Sequence, residues 1–136
     1  MSLSVRVKFT ILGAPRTKKN HQQIRRTRAG VPFIAQADTA SAWEQGAILQ
    51  LRARWHAGPL DAPQNLRAHV FRDRDTGDLG NYLAAICDAL ERSGVLSNDK
   101  LIRGFDHSRL YVDRARPRVE IELTPLVEAD VVWSAN

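Results

Sequence analysis

The chain predicts a two-layer α+β domain: one mixed β-sheet with two helices on one face, in the order β-α-β-α-β-β. Single alternation of apolar and polar residues near both ends of the chain has the period of half-buried strands. Two internal segments repeat apolar residues every three or four positions, the period of amphipathic helices. The 136 residues suffice for one hydrophobic core. The domain is expected over residues 1–125, with 126–136 a tail without clear pattern.

Each element follows from local residues. Val5, Val7, Phe9 and Ile11 alternate with Arg6, Lys8 and Thr10 as a first strand, which Gly13 and Pro15 end. Residues 14–30 then carry six cations, Arg16, Lys18, Lys19, Arg25, Arg26 and Arg28, and no acid. They lack a sustained apolar period, so a loop or extended arm is expected. Unbalanced cations repel one another unless an anion lies near, which favours a phosphate-contacting arm over a solvated loop.

Ser41-Ala42-Trp43-Glu44 matches a capping box. Trp43, Ala47, Leu51 and Trp55 continue it as one helical stripe, which Gly58-Pro59 stops. The tryptophans are expected in the core. Leu66, Ala68 and Val70 alternate with Arg67 and His69 as a second strand, followed by an acid-rich turn holding Asp73 and Asp75. A second helix opens at Asp78, with Leu79, Leu83, Ile86 and Leu90 on its apolar side, and ends near Ser93-Gly94. Two strands, over 100–112 and 117–124, are expected to close the sheet as an antiparallel hairpin.

Bulk chemistry narrows the partners. Net charge is +5, with sixteen Arg against four Lys. The guanidinium fork matches two phosphate oxygens, so this bias suits nucleic acid. Cys87 is the lone cysteine, which excludes an intrachain disulfide and a cysteine zinc site, and its apolar surroundings point to packing. No apolar run nears the roughly 20 residues of a membrane span. Nor does the alternating N-terminus resemble a signal peptide, so a cytoplasmic location is expected.

The carboxylates invite two readings. Asp78 suits an N-cap, with Asn81 completing the arrangement. The helix from Leu79 to Arg92 is about 20 Å long, and the steps from Arg92 to Asp99 span about 23 Å when extended. Asp99 can therefore return beside Asp78, where two aspartates would suit magnesium and a substrate phosphate. Asp88 lies about 15 Å along the helix from Asp78 and is expected to be structural, hydrogen-bonding the returning loop.

These residues resemble the RusA family of Holliday-junction resolvases of phages and prophages. Pro15-Arg16-Thr17-Lys18-Lys19-Asn20 looks like that family's Pro-x-x-Lys-Lys-Asn segment. Asp78-Leu79-Gly80-Asn81, Asp88-Ala89-Leu90, Gly94-Val95-Leu96 and Asn98-Asp99 resemble its Asp-x-Asp-Asn, Asp-Ala-Leu and Asp-Asp pattern in order and spacing. The resemblance implies a homodimeric, magnesium- or manganese-dependent endonuclease that cuts four-way DNA junctions, leaving 5′-phosphate and 3′-hydroxyl ends. Asp78 and Asp99 would be its catalytic metal ligands and Asn81 a supporting residue. Arg16, Lys18, Lys19, Asn20, Arg25, Arg26 and Arg28 would contact DNA.

Three positions depart from the pattern: Gly80 replaces an aspartate, Ala84 a lysine, and Asn98 the first aspartate of the pair. Asp75 or Asp73 could supply the missing carboxylate, and Lys100 or an arm lysine the missing charge. The alternatives to a resolvase are a non-catalytic junction-binding protein with a degraded site and, more remotely, a module binding RNA or protein.

Overall fold

In a computed structural model of the chain, the described residues are 6–15, 22–26, 32–36 and 38–127. The elements in chain order are β1 (Val7–Leu12), β2 (Gln22–Arg26), β3 (Pro32–Gln36), α1 (Asp38–Arg54), β4 (Gln64–Arg72) and α2 (Leu79–Arg92). A 3-10 turn (Asp99–Leu101), β5 (Ile102–Gly104), β6 (Arg109–Val112) and β7 (Arg118–Pro125) follow.

Strand β4 organises the sheet. Its inward residues Leu66, Ala68 and Val70 are fully buried, while the residues between them are only partly so. On one side β4 pairs antiparallel with β7, which pairs antiparallel with β1. On its other side β4 pairs parallel with β5 near its start and with β6 near its end. The result is the expected mixed sheet. Both helices contribute to the core cluster with the inward residues of β1, β4 and β7, so they cover one face.

The closing strands differ from expectation in two ways. The segment 100–112 is no single strand: a 3-10 turn and a loop interrupt it. Nor do β6 and β7 form a hairpin, because β4 lies between them. Val119, Ile121 and Leu123 of β7 are buried beside β4. Burying apolar area contributes about 25 cal/mol per Å², and this central slot buries all three side chains.

Two local expectations also change. Gln22–Arg26 pairs antiparallel with Pro32–Gln36, so part of the basic segment forms a β-ribbon rather than a loop. Helix α1 begins at Asp38, which places Ser41 inside the helix rather than at its cap. Glu44 instead accepts a charged hydrogen bond from Arg92 of α2, tying the helices together. Trp43 is buried, and Trp55 meets Phe9 edge-on at 6.2 Å, so the described tryptophans of α1 and its end serve the core.

Edge strand β1 has its outward backbone covered by α1. Leu12 N donates to Gln50 Oε1 at 2.8 Å, and Arg54 donates to the Thr10 carbonyl. Covering the edge in this way discourages pairing with another strand.

Candidate active site

The site is built from the loop between β4 and α2. Arg72, the last residue of β4, points to the dry face and is 6% exposed. A buried guanidinium needs partners for its donors. Its Nε donates to the Tyr111 carbonyl at 3.2 Å and its Nη1 to the Thr76 carbonyl at 3.0 Å. Its Nη2 lies 3.1 Å from Asp75 Oδ1. Arg72 thereby links strand β6 to the acidic loop. The Asp75 side chain is nevertheless 87% exposed and faces solvent.

Gly77 turns the chain into the helix with φ of 82°. A Cβ there would lie 2.6 Å from Tyr82 Oη, whose hydroxyl donates to the Thr76 carbonyl at 2.7 Å. Both the left-handed backbone and the close approach require glycine.

Asp78 then caps α2. Its Oδ1 accepts from Asn81 N and its Oδ2 from Asn81 Nδ2, each at 2.9 Å. Each oxygen keeps acceptor capacity beyond that bond, and the residue is exposed at the positive end of the helix. A Cβ built on Gly80 would meet Asp78 Oδ1 at 3.5 Å, an ordinary contact, so a side chain there would stand next to this carboxylate. Ala84 is exposed one turn further on.

Asp99 does not come back to this end. Its backbone N–H donates to Glu91 Oε1 at 2.7 Å, near the C-terminus of α2. Glu91 is thirteen residues past Asp78, a separation of about 20 Å along a straight helix. Ile102, just beyond the 3-10 turn, pairs with Gln64 at the start of β4, whereas Asp78 follows its end. The seven residues after the helix do not run extended beside it. They dive into the core at Val95 and Leu96 and bridge to Leu60. The parallel β4-α2-β5 crossover then returns the chain to the end where β4 began.

Other expected site residues divide between these ends. Lys100 follows Asp99 in the 3-10 turn, which Asn98 caps by accepting from Lys100 N at 2.8 Å. Glu91, not Asp88, holds the returning segment. Burial, then the charges of Asp99 and Asp88, push the Cys87 thiol up to about 12, so it stays protonated at neutral pH and suits packing. Arg25 and Arg26 lie on β2, opposite Phe33 and Pro32. Arg16, Lys18, Lys19, Asn20 and Arg28 lie outside the described residues.

Among the described residues, no three His, Cys, Asp or Glu side chains form a group able to hold a metal ion. Asp73, Asp75 and Asp78 nonetheless put an oxygen-only donor set on one short segment, chemistry that suits magnesium or manganese. Arg72 is a further site residue, beyond those the sequence pointed to. Its signal was there: counting by twos from Leu66 puts an arginine in register with the buried residues.

A family model described as Endodeoxyribonuclease RusA matches residues 2–124. A protein of Aquifex aeolicus (strain VF5) named Crossover junction endodeoxyribonuclease RusA is 28% identical over 85 residues, covering 61% of this chain and 66% of that protein. The match thus spans just under two thirds of that relative's length. Among the described residues, no helix is long and apolar enough to cross a membrane.

Proposed function

This chain belongs to the RusA family of endodeoxyribonucleases, and on that premise we propose that it resolves four-way DNA junctions as a homodimer with a divalent cation. The observation that supports this most is the exposed Asp78 carboxylate at a helix N-terminus, next to the Asp75 loop that Arg72 holds. Asp78 and Asp99 would hold magnesium or manganese, with Asp75 as a further carboxylate. A bound cation supplies Lewis-acid polarisation of the phosphate and a more acidic attacking water. The protein's part is to hold carboxylates at the scissile phosphate and to bind backbones by charge.

Separation of Asp78 from Asp99 bears on the dimer. In one chain they stand at opposite ends of β4. They can share a cation where two copies set the Asp78 end of one chain against the Asp99 end of the other. Nicking of a synthetic four-way junction in magnesium tests this. Asp78→Asn and Asp99→Asn alone should each abolish cutting, and asparagine at 78 should still cap the helix. Mixing the two inactive proteins should restore nicking, because a mixed dimer keeps one intact shared site. No restoration would place each site within one chain, and full activity of either single variant would remove that residue from the site.

A second reading, a junction-binding protein without cleavage, is favoured by Gly80 and Ala84. The clear space at Gly80 next to Asp78 makes it testable. Gly80→Asp with Ala84→Lys should raise the cleavage rate if those losses limit activity. An unchanged rate would mean that native groups such as Asp73, Asp75 or Lys100 already serve where the wild type cuts, and that the site is lost for another reason where it does not.

A further inference from the structure

The sheet face opposite the helices holds a second built site. Strands β5 and β6 both pair with β4, and the loop between them is stitched to β4 by side chains. Asn65 Oδ1 accepts from Asp106 N at 2.9 Å. Ser108 Oγ accepts from Ala68 N at 3.0 Å and donates to the Leu66 carbonyl at 3.1 Å. The His69 ring Nε2 lies 3.0 Å from the His107 carbonyl, a bond that requires its proton on that nitrogen.

His107 sits at φ of 68°, in the left-handed region that glycine favours. A residue with a full side chain is kept in a conformation where none is needed for the turn. Strain of this kind concentrates where a side chain has a task. The imidazole lines a cavity of about 350 Å³ with Arg67, His69, Ser108, Arg109 and Tyr111. None of these six is acidic. Arg67 Nε lies 3.5 Å from Glu122 Oε1, and exposed Arg109 has no ion-pair partner among the described residues. A neighbouring cavity shares Arg67 and His107 but includes Asp106 and Glu122, so the bias toward anions belongs to the first.

The aromatic groups here are not free to stack on bases. Phe71 and Tyr111 stack on each other at 4.7 Å, and the Arg118 guanidinium lies 3.8 Å from the Phe71 ring centre. His69 meets Tyr111 edge-on at 5.3 Å. What the face offers is positive charge and hydrogen-bond donors. We propose that this cavity binds a backbone phosphate of the DNA substrate, with Arg67 and Arg109 as its charged ligands and His107 as a donor. The inference rests on the junction reading above and adds a contact surface outside both the acidic loop and the basic ribbon.

Equilibrium binding of a labelled four-way junction, without divalent metal and at several salt concentrations, tests it. Each lost phosphate contact should make the slope of log affinity against log salt shallower by about 0.9, or about eightfold in affinity at 0.1 M salt. The variant carrying Arg67→Ala and Arg109→Ala should therefore lose about 0.9 of slope per protomer, or about 1.8 for a homodimer with both cavities emptied. His107→Gly should weaken binding while Tm holds or rises, because glycine fits the backbone that histidine strains.

Wild-type binding with unchanged slope and affinity in the double variant would overturn the pocket and leave the junction reading standing. Failure of the wild type to bind DNA at all would overturn both. Sedimentation of the same proteins covers the other occupant: a shift from dimer to monomer in the double variant would make this face a subunit interface and overturn the assignment.

Discussion

The two faces of β4 carry opposite chemistry on alternate residues of one strand. Toward the helices it presents Leu66, Ala68 and Val70, all fully buried. Toward the open side it presents Asn65, Arg67, His69 and Phe71, all partly exposed. The dry face admits a charge only at its end, where Arg72 meets two carbonyls and a carboxylate. The open face tolerates charge throughout, balancing Glu122 between Lys8 and Arg67, and Arg118 between Asp113 and Glu120. Apolar burial is therefore concentrated on one face, and the exposed charge lies on the other.

Core truncation should break the comparison most visibly. Ile86 of α2 is 0% exposed, whereas Val112 of β6 is 46% exposed. Ile86→Ala should cost about 2–5 kcal/mol through lost burial and a residual cavity. Val112→Ala should stay within about 0.5 kcal/mol. Urea unfolding of both variants checks this, and equal costs would mean that the β6 edge carrying Val112 is buried in the native assembly.

A smaller effect sharpens the same contrast. Arg118 Nη1 donates to Asp113 Oδ2 at 2.9 Å, and this bond, before others from the backbone, holds the Asp113 carboxyl below its ordinary range. The paired Glu120 and Asp113 raise Arg118 in turn. A depressed folded pKa contributes stability above the unfolded value, and that stability is lost as pH falls through the folded value. Asp113→Asn should thus be slightly less stable than wild type at neutral pH, and the gap should close in acid. Thermal unfolding of both across pH measures it. A gap that persists below the carboxylate range would assign the effect to packing rather than charge.

Much of the fold was legible because it is written in local periods. Alternation marked β1, β4 and β7, and the stripe of Leu83, Ile86 and Leu90 marked α2. The Asp78 cap with Asn81 was readable too, since it involves neighbours three residues apart. The ribbon of β2 and β3 escaped because its residues show no clear alternation and its pairing joins two separate segments. The Arg72 network escaped likewise, since its partners include Tyr111, thirty-nine residues away.

From its own residues, then, the chain determined that β1, β4 and β7 are strands and α1 and α2 helices, where α2 begins, and which side of these elements is apolar. Those properties depend on steric and burial preferences within a few residues. Only the tertiary structure decided that β7 inserts between β1 and β4, that β6 joins the opposite edge of β4, and that Asp99 lies at the far end from Asp78. Local spacing bounds how far a chain can reach. Where it goes is set by burial summed over the whole sheet, which here favoured sending Val95 and Leu96 into the core over an extended return along the helix.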